Sequence, residues 1–104
     1  MLKLYTKSRD GLYQAEAVFE NEKITVLKGS KINIKKNANF SPSVEVLTKR
    51  NDLSLVNPEG FLLKDVTFKS LSTGATFVTG RIANGMIVWK TEDGKYVRYT
   101  LKGE

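Results

Sequence analysis

The chain contains neither cysteine nor histidine. Without cysteine, disulfide bonds, thiolate metal sites and thiol catalysis are excluded. Without histidine, the Ser-His and Cys-His nucleophile systems, the histidine general base and nearly every zinc arrangement are excluded as well. These two gaps remove most of the side-chain chemistry that small hydrolases and metalloenzymes use.

Long apolar runs are missing too. The longest uninterrupted run is Met86 to Trp89, far short of the ~20 residues that a membrane-spanning helix needs. The amino-terminal stretch MLKLYTKSRDG lacks the apolar core of a signal peptide. The sequence therefore predicts no membrane partner and a cytoplasmic location.

What the chain has in excess is positive charge, with 17 bases against 11 acids among its 104 residues and a formal charge of +6. Two stretches contain bases and no acid: Lys23 to Val44 and Val66 to Thr91. A charge of this size can serve solubility alone. Its segregation into two stretches favours a positive face directed at a polyanion.

Strand signals fill the first third of the chain. LYQAEAVF, Leu12 to Phe19, alternates apolar and polar residues until Val18. Between KITVLK and KINIK, the dipeptide Gly29-Ser30 predicts a two-residue hairpin loop. In that register Lys28 faces Lys31 across the strands, where like charges repel at a cost of ~0.2–1 kcal/mol.

Two helices are predicted further along. Ser41 can cap a helix from about Pro42 to Asp52, because proline is favoured in the first helical position. A second, short helix begins at a cap on Ser70 or Ser72 and runs to Thr79. Gly80 follows as the left-handed residue that ends it.

The last third predicts two more strands, MIVWK and KYVRYTL, which follow the turn at Asn84-Gly85 and are joined at Glu92 to Gly94. The order of strands, helix, strand, helix and hairpin differs from alternating βαβ units. We therefore expect a single α+β domain, residues 1–104, with a small antiparallel sheet of hairpins and two short helices.

Enzyme motifs are absent from the sequence: it contains no phosphate-binding G-x-x-x-x-G-K-[ST] loop, no G-x-S-x-G and no S-x-x-K. The acid pairs Glu20 with Glu22 and Glu92 with Asp93 are more typical of solvated acids than of catalytic carboxylates. We expect neither an enzyme nor a cofactor. Trp89 is either a core residue or an exposed stacking platform, and Asn84 with Gly85 forms either a turn or a ligand contact.

Three segments carry a resemblance: VLKGSKI, FSPSVEVL and FKSLSTGATFVTGRIANGMIVWKTEDGK. They resemble the family catalogued as domain of unknown function 4357, and the last is also similar to the restriction-enzyme and adenine-methylase-associated domain. The resemblance covers about residues 19–95. It departs from the family pattern at Leu71, where proline is usual, and at Met86, where a first tryptophan is usual. The matching residues are Ser70, Ser72, Ala75, Gly80, Arg81, Asn84, Gly85, Trp89, Lys90 and Gly94.

The resemblance implies an accessory domain appended to GIY-YIG-type nucleases or restriction-modification proteins. Together with the charge, it predicts a non-catalytic module that binds nucleic acid, with DNA as the favoured partner, through phosphate contacts and a base contact from Asn84 or Trp89. The alternative is a protein-interaction module that docks on a nuclease or methylase chain, with the basic surface incidental. The predicted nucleic-acid-binding residues are Lys28, Ser30, Lys31, Lys35, Lys36, Arg81, Asn84, Trp89 and Lys90.

Overall fold

The computed structural model describes residues 1–35 and 39–101 as an antiparallel sheet with helices. The strands are β1 (Leu2–Lys7), β2 (Gln14–Glu20), β3 (Lys23–Val26) and β4 (Val66–Phe68), in the spatial order β1-β2-β3-β4. The helices are α1 (Val44–Arg50), α2 (Leu71–Thr79) and α3 (Val97–Leu101), with a 3-10 helix at Gly85–Ile87. The α+β fold class is confirmed.

The alternation in LYQAEAVF produces β2 as predicted, although the strand begins at Gln14. Ala15 and Ala17 are buried, while Gln14 and Glu16 point to the exposed side. Helix α2 packs against β2, β3 and β4, and α1 packs against α2. The sheet therefore has an apolar face under α2 and a second face rich in charged side chains.

The sheet turns between β2 and β3 at Asn21 and Glu22, which have φ angles of 53° and 63°. Glu20 and Lys23 pair on either side of this turn. Positive φ at both central residues is typical of the hairpin turn whose twist matches that of the flanking strands.

The prediction of a two-residue hairpin loop at Gly29-Ser30 is wrong. The chain turns at Lys28-Gly29, and Lys31 then pairs with Gln14, further along β2, instead of folding back on β3. Lys28 and Lys31 are therefore not opposed across two strands. The cause is Ser30, whose hydroxyl accepts from the Glu16 N–H at 3.0 Å and donates to the Glu16 carbonyl at 3.3 Å. These two bonds satisfy the β2 backbone where the neighbouring strand bulges away.

Helix α1 is shorter than predicted because its cap is Ser43 and not Ser41. The Ser43 hydroxyl accepts from the Val46 N–H at 3.4 Å, so Pro42 lies outside the helix. Within the helix, Lys49 Nζ lies 3.2 Å from a carboxylate oxygen of Glu45, an i,i+4 ion pair.

Helix α2 has the predicted ends. The Ser70 hydroxyl accepts from the Thr73 N–H at 3.1 Å, and Gly80 is left-handed with φ of 75°. Gly74 lies inside the helix at a point with little room for a side chain, since a Cβ there would lie 2.9 Å from Ile24 Cγ2. This glycine allows α2 to approach β3 closely, which offsets its low helix propensity.

The prediction of two carboxy-terminal strands is wrong, although the predicted turn between them is present. The Thr91 backbone N–H donates to the Lys95 carbonyl at 2.9 Å across that turn, and Lys90 forms single bridges with Tyr5 and Tyr96. The flanking segments are the 3-10 helix and α3. These segments do not form strands, because Trp89 between them is buried and its Nε1 donates to the Leu71 carbonyl at 3.1 Å. That contact holds the segment against the first turn of α2.

Candidate nucleic-acid interface

A cleft of about 570 Å³ lies between the loop after β1 and the end of α2. Four bases line it, Lys7, Arg9, Lys35 and Arg81, together with one acid, Asp10. All five residues are exposed. This basic cleft joins Lys35, from the first acid-free stretch, to Arg81, from the second. The structure thus brings together two predicted residues that lie 46 positions apart in the sequence.

Asn33 is the residue that joins the two stretches. Its backbone N–H donates to the Val78 carbonyl at 2.8 Å, and its side-chain amide donates to the Thr79 carbonyl at 3.0 Å. The same side chain accepts from the Lys35 N–H at 2.9 Å. Asn33 therefore satisfies carbonyls at the end of α2 and fixes the backbone that carries Lys35.

A half-buried cation also supports this junction. The Arg50 guanidinium, at the end of α1, donates to the carbonyl oxygens of Asn33 and Phe77 and lies 5.2 Å from the centre of the Phe40 ring. Burial lowers the pKa of Arg50, and the group still carries its charge at neutral pH. Arg50 thus helps to position the backbone on both sides of the cleft.

Asp10 is the one carboxylate of the cleft, and its neighbours favour its ionised form. Hydrogen bonds from the Ser8 hydroxyl and the Leu12 N–H, together with the nearby charge of Lys35, lower the pKa of the Asp10 carboxyl below its ordinary value of 3.8. Asp10 shapes the turn after β1. It also reduces the positive charge of the cleft at neutral pH.

Lys28 and Lys31 line a separate depression of about 580 Å³, beside Phe61 and Glu16. Lys31 Nζ donates to the Gly11 carbonyl at 3.1 Å and lies 5.9 Å from the centre of the Phe61 ring. Ser30 is 6% exposed and its hydroxyl is bound to Glu16. Lys28 and Lys31 are thus placed together, whereas Ser30 is a structural residue of the bulge.

The remaining predicted residues are dispersed. Lys90 is exposed at the edge of the sheet beside β1. Asn84 is exposed, and its side chain caps the 3-10 helix by accepting from the Met86 N–H at 2.9 Å. Trp89 is fully buried, so the core interpretation is correct and the base contact assigned to its indole is wrong. Lys36 lies outside the described residues.

Sequence reasoning missed Lys7 and Arg9 as cleft residues. The stretch KSRDG, from Lys7 to Gly11, combines two bases with a turn signal, because Asp-Gly favours a turn and turns follow strands. That signal could have marked the loop. Its position beside Arg81 could not have been read from the sequence, because it depends on how β1 lies relative to α2.

Two features are absent from residues 1–35 and 39–101. None of the helices there is long and apolar enough to span a membrane. The same residues hold no group of three or more acidic side chains placed to share a metal ion.

A comparison with protein families matches residues 4–100 to a family described as a domain of unknown function (DUF4357). This match spans almost the whole chain and extends the region over which the resemblance was expected. Neither the curated proteins nor the solved structures contain a match to the chain.

Proposed function

Since the chain belongs to the family described as a domain of unknown function (DUF4357), no activity comes with the family, and we propose a function from the surface itself. The domain is a non-catalytic accessory module that binds nucleic acid, with DNA as the favoured partner. The observation that supports this most directly is the basic cleft, where four bases from three parts of the chain meet beside one acid.

The cleft bases are suited to phosphate contacts. Within the described residues the ion pairs are Lys3 with Glu16 and Lys49 with Glu45, and neither pair uses a cleft base. Exposed cations without a bonded carboxylate gain from phosphate oxygens and release condensed counterions on binding. Such contacts fix position along the backbone and carry little sequence information.

An accessory module works beside a catalytic chain. The resemblance makes a nuclease or methyltransferase of the restriction-modification type the expected neighbour, in the cytoplasm. In that arrangement the module holds DNA through Lys35 and Arg81 and the neighbour supplies the reaction.

The experiment is a fluorescence-polarisation titration with duplex and single-stranded DNA over a series of salt concentrations. We expect log K to fall linearly with log salt, by ~0.9 for each duplex phosphate neutralised. Lys35→Glu with Arg81→Glu should weaken binding and reduce the magnitude of that slope by about 2, since two contacts are lost.

The matched control is Lys64→Glu with Lys69→Glu, which changes the net charge equally at two exposed lysines that do not line the cleft. The control should keep most of the affinity. Lys28→Glu with Lys31→Glu tests the separate depression in the same way. The proposal fails if neither form of DNA binds at ~50 mM salt, where several phosphate contacts are strong.

A second candidate function rests on the apolar surface around α1. Val44 is 78% exposed and Leu53 is 73% exposed, although both are large apolar residues. Such a surface suits docking on a nuclease or methylase chain. If docking is the function, binding to that chain survives reversal of Lys35 and Arg81 and is lost in Val44→Ser with Leu53→Ser.

A further inference from the structure

The face of the sheet opposite α2 carries aromatic rings among its charged side chains. Strand pairing places Tyr96, Lys90, Tyr5 and Glu16 in one row across the sheet. The adjacent row holds Lys7, Gln14, Lys31 and Phe61. Residues paired across antiparallel strands point to the same side. Tyr5, Tyr96 and Phe61 therefore share one surface, the aromatic sheet face.

These rings are partly open to solvent. Tyr96 is 39% exposed, Phe61 is 42% exposed and Tyr5 is half-buried. Tyr5 and Tyr96 are separated by two strand spacings, or ~10 Å at ~4.8 Å per strand. Rings of this kind in a sheet are a platform on which unpaired bases stack, and stacking accepts every base because each has a π-face.

Each ring has a lysine beside it. Lys3 Nζ lies 5.7 Å from the Tyr5 ring centre, Lys31 Nζ 5.9 Å from that of Phe61, and Lys90 Nζ 5.2 Å from that of Tyr96. Bases outnumber acids in these strand rows, where the bases are Lys3, Lys7, Lys23, Lys31 and Lys90 and the acids are Glu16 and Glu20. Glu16 pairs with Lys3 at 3.4 Å, which leaves the other lysines for phosphates. Rings on which bases can stack, next to cations that can contact phosphates, match the chemistry of a nucleic-acid strand.

Lys7 connects this face to the basic cleft. It lines the cleft with Arg81, and it also lines a depression of about 540 Å³ on the sheet face with Tyr5 and Lys90. Glu16 and Glu92 also line this depression, so Lys7, and not an unbroken positive surface, is what the sheet face and the cleft share. The two surfaces meet at Lys7.

We propose that the aromatic sheet face binds single-stranded nucleic acid, with bases stacked on Tyr5, Tyr96 and Phe61 and phosphates held by the neighbouring lysines. This inference rests on the proposed function and names its substrate form. Duplex bases are stacked on one another and cannot reach these rings, so a duplex contacts only the lysines and the cleft. The chain thus prefers single strands over duplex of equal length.

The test measures affinity for a thymidine oligonucleotide of about 15 nucleotides, within the ~4–16 nucleotide sites of single-strand-binding modules, and for a duplex of equal length. Tyr96→Ala and Phe61→Ala should each weaken single-strand binding roughly 5- to 150-fold, the range of base stacking on one ring. The salt slope should not change, since no phosphate contact is lost. Tyr96→Phe and Phe61→Tyr should bind like the parent because they keep a ring.

The matched control is Tyr99→Ala, which removes an exposed ring on α3 outside the sheet rows. Tyr96→Leu and Phe61→Leu keep apolar bulk without a ring, and they replace the alanine variants if those fail to fold. Folding is checked by far-UV circular dichroism and by the fluorescence of buried Trp89.

The possible outcomes separate this inference from the proposed function. Loss of single-strand affinity in the ringless variants alone supports the inference. Equal binding of both DNA forms, unaffected by loss of the rings but weakened by Lys35→Glu with Arg81→Glu, overturns the inference and leaves the proposed function intact. If neither form of DNA binds at ~50 mM salt, both fail.

Discussion

Among the glycines of residues 1–35 and 39–101, Gly85 has the least room for a side chain. A Cβ at this residue would come within 2.3 Å of the Leu71 carbonyl carbon, 2.4 Å of its oxygen and 2.6 Å of the Ser72 nitrogen. All three atoms belong to the backbone at the start of α2, which cannot rotate away as a side chain can. Gly85→Ala must therefore separate the 3-10 helix from α2.

The cost has two parts. Overpacking a well-packed site costs about 1–3 kcal/mol. The displacement also weakens the bond from the Gly85 N–H to the Ser72 hydroxyl, 3.0 Å, and that from Trp89 Nε1 to the Leu71 carbonyl, 3.1 Å, each worth about 1 kcal/mol. The total is about 3–5 kcal/mol, a large part of the ~5–15 kcal/mol typical of a domain.

Urea denaturation followed by Trp89 fluorescence measures this loss, because the single tryptophan is buried beside the displaced contact. Gly94→Ala is the control: its φ of 82° strains any side chain, but no atom lies within 4 Å of its Cβ position. That variant should lose only ~1–2 kcal/mol. A Gly85→Ala variant whose free energy of unfolding lies within ~0.5 kcal/mol of the parent's, the change usual for a surface substitution, would refute the close packing.

Three further predictions follow from individual polar groups. Asp10→Asn should strengthen DNA binding in the polarisation titration, because it removes the one carboxylate of the cleft. The control Asp52→Asn removes a similar turn carboxylate outside the cleft and should leave the affinity unchanged. Arg50→Met should lower the free energy of unfolding by about 1–3 kcal/mol, since two carbonyl oxygens lose their donor; an unchanged urea midpoint would contradict this. The pKa values of Asp10, Asp52 and Asp93 are lowered from 3.8 by hydrogen bonds. Their contribution to stability is therefore complete above about pH 4–5 and is lost as pH falls through the lowered values, which thermal melts between pH 2 and about 7 would detect.

Elements with a local signal were predictable. Ser70 and Gly80 bound α2 because capping depends only on neighbouring residues. The choice of Ser43 over Ser41 for α1 was not, because both serines precede the same apolar residues. The burial of Trp89 was one of two interpretations, and its hydrogen bond to Leu71 decided between them.

Elements that depend on distant partners were missed. MIVWK has a strand pattern, yet Gly85 and Trp89 hold it on the start of α2 through Ser72 and Leu71, which lie 13 and 18 residues earlier in the chain. Gly29-Ser30 has a hairpin pattern, yet the Ser30 hydroxyl binds the β2 backbone and keeps the chain on its course. Tertiary hydrogen bonds outweighed local propensity at both sites.

The sequence by itself determined the charge, the absence of cysteine and histidine chemistry, the α+β class and the ends of α2, because each follows from composition or from contacts within a few residues. Only the tertiary structure decided which cations meet. Asn33 and Arg50 bring Lys35 to Arg81, and strand pairing places Tyr5, Tyr96 and Phe61 on one face. The physical reason is that a surface site is assembled from segments distant in sequence, and their relative position is fixed by packing and by long-range hydrogen bonds.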